Sequence, residues 1–359
     1  MDLKTLGWNE FFENHFNELK TEHIFPARVV TAQREIYSLY GESGELKAGL
    51  TGKLRFNAAS LAELPAVGDW VLVKLSPDKS IAVIEGILPR ISKLSRKVTG
   101  EQTQEQIIVA NIDVIFLVNG LDGDYNLRRI ERYLTVAKDS NTKPVILLNK
   151  TDACPDYAQI VEAVTAIADG VPICTLSAIN NEGIENLKTY IKKEQTIAFI
   201  GSSGAGKSTI INCLLGEGRQ KTGAVREGDD RGKHITTHRE LIILPDGGIV
   251  IDNPGLREIQ LWSDEPTLKD TFTDIEDFSL TCRFGNCTHE SEPGCAVKSA
   301  LETGTLDAKR YQNYLKLQKE LRYLAVRKEK IKSRNDKIVT EKRISRISKQ
   351  IKKHNKYDF

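Results

Sequence analysis

One glycine-rich segment of the chain has the residue types of a phosphate-binding loop. It follows an apolar run at residues 197–200 and precedes a helix-like run. Glycines let backbone N–H groups turn toward a phosphate, and the N-terminus of the following helix favours the same anion. We expect Lys207 to bridge the β- and γ-phosphates and to act in catalysis, and Ser208 to place its hydroxyl on Mg²⁺. The predicted loop consists of Gly201, Ser202, Ser203, Gly204, Ala205, Gly206, Lys207, Ser208 and Thr209.

Two other segments have the polar groups that separate guanine from adenine. Both directly follow apolar, strand-like runs, and they contain Asn149, Lys150, Thr151 and Asp152, then Ser177 and Ala178. The Asp152 carboxylate can accept from both N1–H and the exocyclic amine of guanine, and a backbone N–H of the second segment can meet O6. Leaving Asp152 unpaired against adenine would cost on the order of a few kcal/mol. The sequence therefore predicts GTP or GDP as the ligand, rather than ATP.

A metal-binding segment, residues 252–255, reads Asp-Asn-Pro-Gly and ends another apolar run. We expect the Asp252 carboxylate to hold Mg²⁺ through water and the Gly255 N–H to meet the γ-phosphate. Leu256 follows, where many GTP hydrolases carry a glutamine that orients the attacking water. Because leucine has no polar group, hydrolysis is expected to be slow, or the water is oriented by another residue.

The segment 228–238 contains residues that could orient that water. It lies between the phosphate loop and the next predicted hairpin, and it offers Arg231, Lys233, His234, Thr236, Thr237 and His238. We predict that His234 places the attacking water and that either Thr236 or Thr237 completes the Mg²⁺ shell. The alternative for His234 is an ordinary solvated loop residue.

A cluster of soft ligands follows further along the chain. Cys282, Cys287, His289 and Cys295 lie within fourteen residues, and glycines between them allow sharp turns. Three thiolates and one imidazole suit tetrahedral Zn²⁺ with no open position, which is typical of a structural site. Disulfides or a chance clustering are the alternatives, and a reducing cytoplasm fits the remaining, scattered cysteines.

The segments that hold these motifs alternate between strands and helices, and we predict a doubly wound α/β domain over residues 99–262. Four continuous apolar runs are typical of parallel strands covered on both faces: 112–118, 145–148, 171–176 and 196–200. Two more runs, 241–244 and 249–251, predict an antiparallel hairpin. Each motif falls at the carboxyl end of a strand, where such sheets bind ligands.

The N-terminal part of the chain has a different pattern. Residues 1–22 look like a short helix with an aromatic face that must pack on something. Residues 23–98 contain several short β-rich runs separated by Gly, Pro, Asp and Ser, which predict a small closed sheet. The OB-fold barrel is the commonest such module that also binds nucleic acid. A barrel that serves only as a spacer is the alternative.

Charge is concentrated at the C-terminal end of a predicted zinc-binding, mostly helical domain, residues 263–359. The formal net charge of the whole chain is +2, but the segment from residue 327 onward contains thirteen lysines and arginines and only four acidic residues. Such a helical tail predicts salt-dependent binding to RNA phosphates, with a solvated helical face as the alternative. Ile344, Ile347 and Ile351 form a narrow apolar stripe on this tail. Binding to a membrane surface is a further alternative, but the stripe lacks the usual Trp or Phe. No apolar run approaches the ~20 residues of a membrane helix, and the N-terminus lacks a signal-peptide pattern.

The order of the motifs is rotated, because the two guanine segments precede the phosphate loop. With this order, the preceding barrel and the Cys-Cys-His-Cys cluster, the chain resembles the RsgA (YjeQ) family of circularly permuted GTPases from about residue 23 to 300. The resemblance implies GTP at the segments named above and zinc at the four-ligand cluster. It also implies binding to the 30S ribosomal subunit and its rRNA, hydrolysis stimulated by that subunit, and a role late in its maturation. Ile235 and Asn253 stand where the family usually has threonine.

From these observations we expect a monomeric, cytoplasmic GTPase with no membrane anchor. The rival is an RNA-binding scaffold or checkpoint protein that holds GTP with negligible turnover, and Leu256 keeps that rival open. We also hypothesise that residues 252–256, which lead into the zinc-binding domain, pass the loss of the γ-phosphate to an RNA-binding arm. The roles of the N-terminal helix and the basic tail do not follow from the resemblance.

Overall fold

The structure is a computed structural model. It describes residues 2–33, 36–76, 81–98, 104–123, 125–216, 240–252, 265–327 and 329. Its strands are β1 (Phe25–Gln33), β2 (Ile36–Gly41), β3 (Gly44–Leu50), β4 (Trp70–Leu75), β5 (Ala82–Ile87), β6 (Lys93–Val98), β7 (Gln104–Ala110), β8 (Val114–Gly120), β9 (Lys143–Asn149), β10 (Ile173–Leu176), β11 (Thr196–Gly201), β12 (Glu240–Ile243) and β13 (Ile249–Asp252).

The helices fall into three groups. Two precede or lie within the barrel, namely α1 (Glu10–Leu19) and α2 (Gly52–Asn57). The α/β domain contains α3 (Leu127–Asp139), α4 (Ala158–Ala168), α5 (Ile184–Lys188) and α6 (Lys207–Leu215). The C-terminal part contains α7 (Glu265–Thr271), α8 (Thr273–Leu280), α9 (Ala296–Glu302) and α10, which covers 308–327. In the part of the chain that the structure describes, no helix combines the length and apolar character that crossing a membrane requires.

The first five strands form a closed barrel in the spatial order β1-β2-β3-β5-β4. Strand β1 closes it by pairing with both β2 and β4, and the β3–β5 pair is parallel. Val29, Leu39, Val71 and Ile84 fill the interior. The predicted OB-fold barrel is therefore confirmed. Strand β2 is not among the runs predicted from the sequence, and its buried residues alternate along the strand as expected for a barrel wall.

The α/β domain has a six-stranded sheet in the order β10-β9-β8-β11-β13-β12. All neighbours are parallel except the β12–β13 hairpin, as the sequence predicted. The chain enters at β8 in the middle, moves outward to β10, and returns to β11 on the other side of β8. This path places the phosphate-loop strand β11 after the two guanine strands β9 and β10 along the chain, but in the same sheet, with β8 between β11 and β9. The circularly permuted fold is thus confirmed.

A separate two-stranded hairpin connects the barrel to the sheet. Strands β6 and β7 pair in antiparallel fashion, from Lys93 opposite Ala110 to Val98 opposite Gln104. The domain boundary predicted after residue 98 falls between these two strands and stays a prediction.

The C-terminal helices dock on α3 of the α/β domain through buried charge. Glu131 on α3 is fully buried and accepts hydrogen bonds from Arg310 (2.7 Å) and Asn313 (2.6 Å) of α10. Arg310 also donates to both carboxylate oxygens of Asp274 on α8, at 2.7 Å each. These contacts join three helices from different parts of the chain.

The N-terminal helix covers the outside of the barrel. Trp8 meets Trp70 of β4 edge to face, with ring centroids 4.7 Å apart. Phe12 and Phe16 are buried in the same cluster with Leu72. The aromatic face predicted from the sequence therefore packs on the barrel.

A single buried arginine joins the N-terminal segment, the barrel and the sheet. Arg28 of β1 donates to the carbonyl oxygens of Gly68 (3.2 Å), Asn111 (3.2 Å) and Leu6. It also donates to the hydroxyl of Thr196 (2.8 Å), the first residue of β11. The barrel is therefore attached directly to the base of the strand that carries the phosphate loop.

Candidate functional site

The carboxyl ends of the central strands meet at one edge of the sheet. Asn149, the last residue of β9, lies opposite Gly120 of β8 on one side and Leu176 of β10 on the other. Across β8, Gly201 ends β11 opposite Val118. From β8 the chain moves outward through β9 to β10, and it then crosses to β11 on the other side of β8. The order of strands therefore switches between β8 and β11, and their carboxyl ends border the crevice where such folds bind ligands.

The predicted phosphate loop runs from the end of β11 to the start of α6, as the sequence indicated. Gly204 and Gly206 have φ values of 82° and 97°, in the left-handed region that glycine adopts without strain. Lys207 donates from Nζ to the carbonyl oxygens of Gly201 (2.8 Å) and Ser202 (2.6 Å). Its ammonium group is therefore held over the loop.

One buried side chain connects the phosphate loop to both guanine segments. Asn149 donates from Nδ2 to the Ala205 carbonyl oxygen (2.9 Å), and its Oδ1 accepts from the Ala178 N–H (3.1 Å). A Cβ atom at position 206 would lie 2.1 Å from Asn149 Nδ2, so only glycine fits beside it. The sequence places Asn149 in a base-reading segment but does not reveal this bridging contact, because the partners lie 56 and 29 residues away.

The two guanine segments are also joined to each other. The Ser177 hydroxyl donates to Asp152 Oδ1 (2.5 Å), and Ser177 itself is fully buried. The Ser177 backbone N–H and carbonyl exchange hydrogen bonds with Glu182, which closes the loop that follows β10. These contacts fix the orientation of the Asp152 carboxylate at the sheet edge.

The side chains of Asp122 and Cys213, which lie outside the predicted motifs, also contact these segments. Asp122, just after β8, forms an ion pair with Lys150, whose φ is 69°. Cys213 on α6 donates from its thiol to the Ala178 carbonyl oxygen (3.2 Å), and burial raises the pKa of this thiol. The sequence offered no signal for either residue, since neither lies in a motif.

Of the remaining predicted site residues, the structure describes Asp252, Ser208 and Thr209. Asp252 is the last residue of β13, half-buried and paired in register with Glu240 of β12. Ser208 and Thr209 lie in the first turn of α6. The other four lie outside the described residues and stay predictions: His234, Thr236, Thr237 and Gly255.

The four predicted metal ligands converge in the C-terminal part. The ligand atoms of Cys282, Cys287, His289 and Cys295 all lie within 4.8 Å of one another, and the cysteines are free thiols rather than disulfides. His289 Nδ1 lies 3.6 Å from Cys282 Sγ and 3.4 Å from Cys295 Sγ, and these two sulfurs are 4.0 Å apart. Tetrahedral zinc bonds of ~2.3 Å to sulfur and ~2.0 Å to nitrogen require ligand separations of about 3.5–3.8 Å. The donor set therefore fits zinc in type, and the three distances among Cys282, His289 and Cys295 lie within about 0.2 Å of these separations.

Surrounding contacts hold the metal ligands in place. Ser279 Oγ lies 3.2 Å from His289 Nε2, which turns Nδ1 toward the sulfurs. Cys295 caps α9, its sulfur accepting the Lys298 N–H at 3.4 Å. In the loop between, hydrogen bonds from the hydroxyl and N–H of Thr288 lower the pKa of Glu292 to about 2.

Comparison with known proteins points to one family. The RsgA GTPase family model matches residues 87–262. The chain is 44% identical over 346 residues to the small ribosomal subunit biogenesis GTPase RsgA of Opitutus terrae, covering 94% of each protein. It is 45% identical over 331 residues to RsgA 1 of Oceanobacillus iheyensis, covering 91% of this chain and 93% of that protein.

Solved structures agree with this assignment. The crystal structure of YjeQ from Thermotoga maritima matches with a TM-score of 0.59 and 29% identity, over 83% of this chain and 98% of that one. The crystal structure of YloQ, a circularly permuted GTPase, matches in fold with a TM-score of 0.58 at 24% identity, over 84% of this chain and 96% of that one. Together with relatives above 40% identity along nearly their whole length, this shows that the chain belongs to the RsgA GTPase family.

Proposed function

We propose that this protein is a GTPase that binds the small ribosomal subunit and acts in its biogenesis. Relatives that align over most of both chains are named for that role. The main support for one nucleotide site is the pair of contacts made by the Asn149 side-chain amide, which binds the phosphate loop at Ala205 and the base segment at Ala178. One buried side chain in contact with both segments supports a single pocket for one guanine nucleotide.

In this proposal each described motif binds one part of the nucleotide. Asp152, oriented by Ser177, accepts hydrogen bonds from the guanine edge. Lys207 lies over its loop through carbonyl contacts and binds the β- and γ-phosphates. When bound, Mg²⁺ neutralises charge on those phosphates. Its ligands would be Ser208, Asp252 and either Thr236 or Thr237.

Water activation is assigned to His234 in the same proposal. Leu256 cannot orient a water, whereas an imidazole can hold one by a hydrogen bond. The Gly255 N–H would meet the γ-phosphate. Replacing His234 by alanine, with His238→Ala as the matched control, should lower subunit-stimulated turnover and leave GDP affinity unchanged. An unchanged stimulated rate in His234→Ala would remove this residue from the reaction.

The outer parts of the chain are proposed to bind the subunit. Residues 1–22 would support the barrel (23–98). The barrel would form one rRNA-binding arm, and the zinc-binding domain with its basic tail (263–359) would form the other. The two arms would flank the GTPase domain (99–262). Zinc would be structural, held by Cys282, Cys287, His289 and Cys295. The protein would act as a monomer in the cytoplasm, where its proposed partner resides.

The proposal is tested by two measurements. GTP turnover is measured alone and with purified 30S, 50S and 70S particles, and we expect stimulation by 30S. In the second, Asp152→Asn should weaken GTP binding by at least about 100-fold and favour xanthosine triphosphate, because an amide can donate to the carbonyl at position 2 of xanthine. Equal GTP affinity in this variant would show that Asp152 does not read the base.

A GTP-holding RNA-binding scaffold or checkpoint protein is the second candidate, and Leu256 favours it. That candidate requires negligible multiple turnover even with saturating 30S particles. The same assay therefore decides between the two functions.

A further inference from the structure

The segment that follows β8 lies beside the guanine-binding segment, although it contains no recognised motif. Gly120, the last residue of β8, is in register with Asn149, and the Leu121 N–H donates to the Asn149 carbonyl oxygen at 2.8 Å. The backbone pairing of β8 and β9 thus continues one residue past the end of β8. Asp122 is the next residue along the chain.

Asp122 reaches back to the second residue of the guanine segment. Its Oδ2 accepts from Lys150 Nζ in an ion pair whose side chains are 37% and 29% exposed. The Lys150 backbone is left-handed, with a φ of 69°, which is uncommon for lysine and fixes where its side chain departs. Both ends of the Lys150 side chain are therefore held.

The absence of a side chain at Gly120 leaves space for the Asp122–Lys150 ion pair. A Cβ at position 120 would lie 2.8 Å from Asp122 Oδ1 and 3.5 Å from Lys150 Cδ. The carboxylate and the lysine stem therefore both pass close over the end of β8. This contact is independent of the ion pair and shows that the stem lies along the sheet edge rather than extending into solvent.

We propose that Asp122 is a positioning residue for guanine-nucleotide binding, acting through Lys150. By holding the ammonium group, Asp122 keeps the four-carbon stem of Lys150 flat at the sheet edge, where it presents apolar surface to one face of the base. Without the carboxylate the stem gains rotamers that must be lost again on binding. The proposal rests on the nucleotide site proposed above.

The expected effect is modest and has a defined signature. A partly exposed ion pair of this kind changes affinity by about two- to fivefold. Because GTP and GDP share the base, both should weaken by the same factor in Asp122→Asn. Turnover at saturating GTP should not change, since Asp122 contacts the guanine segment rather than the phosphate loop.

The test measures the affinity of the full chain for fluorescent GDP and GTP analogues, together with turnover. Asp122→Asn should bind both analogues about two- to fivefold more weakly. Asp156→Asn is the matched control, because it removes one exposed negative charge just beyond the same segment without touching Lys150. Equal changes in the two variants would mean that general charge, not the pair, matters, and would overturn the proposal.

Repeating the Asp122→Asn change in a Lys150→Met variant shows whether Asp122 acts through Lys150. Lys150→Met keeps an apolar stem of similar length but removes the ammonium, so adding Asp122→Asn to it should change GDP affinity no further. The same loss in both backgrounds would contradict the proposal. Asp152→Asn reports on the nucleotide site itself. If it loses GDP binding while Asp122→Asn binds like wild type, the role of Asp122 is wrong and the proposed site stands.

Discussion

Two buried arginines attach the outer parts of this protein to its central α/β domain, and their surroundings are opposite. Arg28, in the barrel, is ringed by the carbonyl oxygens of three segments and by the face of Trp70, 5.7 Å away. Burial lowers the pKa of Arg28 to about 10, and the more distant charges of Asp113 and Asp69 oppose this only in part. A cation is thus held mainly by neutral acceptors.

Arg310, in helix α10, is held by opposite charges. Burial by itself would lower its pKa, but hydrogen bonds and charges from Asp274 and Glu131 raise it above the ordinary value. A second, more exposed pair on the same face joins Arg132 to Glu320 at 2.9 Å. The C-terminal attachment is therefore an ionic network.

The difference indicates how each attachment responds to change. At the Arg28 junction, loss of the guanidinium removes the donor to the buried carbonyl oxygens of Leu6 and Asn111, whereas the Gly68 oxygen keeps the Asn111 side-chain amide at 3.1 Å. At the Arg310 network, Arg310 contacts both Asp274 and Glu131, and Glu131 contacts both Arg310 and Asn313, so removing one of these contacts leaves others in place. The first attachment should fail as a unit, and the second should weaken in steps.

Arg28→Met is the strongest test of this comparison and should have the largest effect. Methionine fills much of the volume but donates no hydrogen bond, so we expect a loss of about 3–5 kcal/mol in the free energy of unfolding. Urea unfolding followed by tryptophan fluorescence measures it, and two of the three tryptophans, Trp8 and Trp70, lie at the junction. Lys74→Met, an exposed change on β4, is the control and should cost little. A loss below about 1 kcal/mol would show that the junction does not depend on its cation.

Glu131→Gln should have an intermediate effect. It removes the buried charge that Arg310 and Asn313 contact, but Arg310 keeps Asp274, so we expect a loss of about 2–3 kcal/mol. Hydrogen exchange of the 308–327 helix reports it locally. Glu320→Gln, in the partly exposed pair, should cost less than about 1 kcal/mol. Equal losses would mean that burial does not distinguish the two pairs.

These attachments mark the limit of what the sequence could predict. Apolar runs and the positions of motifs at strand ends are local patterns of the sequence. They were therefore enough to predict the barrel, the permuted sheet and the meeting of the motifs at one edge of the sheet. Arg28 lies in the region 23–98, for which the sequence predicts only short β-rich runs. Its partners Gly68, Asn111 and Thr196 lie 40, 83 and 168 residues away, so nothing nearby in the sequence marks it as buried.

The same reason explains what was missed at the nucleotide site. The residue types of the phosphate loop and guanine segments are set by the ligand, so they are recognisable without a fold. Asp122 and Cys213 contact those segments only because β8 and α6 bring them there. The hypothesis that residues 252–256 act on the zinc-binding domain stays a prediction. The described contacts attach that domain to α3 instead.

Thr196→Val should have the smallest effect and asks whether the Arg28 junction reaches the nucleotide site. Thr196 begins β11, and its hydroxyl accepts from Arg28 at 2.8 Å while its N–H donates to Asp113 at 2.7 Å. Valine keeps the shape and the backbone hydrogen bond, and the same Arg28 nitrogen keeps the Asn111 carbonyl oxygen at 3.2 Å. We expect a stability loss of about 1–2 kcal/mol.

GDP affinity should stay within about twofold in this variant, because the far end of β11 is held by its own pairing with β8 and distant sites are usually independent. A tenfold loss of GDP affinity would instead mean that strain at the base of β11 travels along the strand to the phosphate loop. The two attachments would then differ in function as well as in chemistry. The barrel would be coupled to the nucleotide through one hydroxyl, whereas the C-terminal helices would be held by a network whose described contacts end on α3.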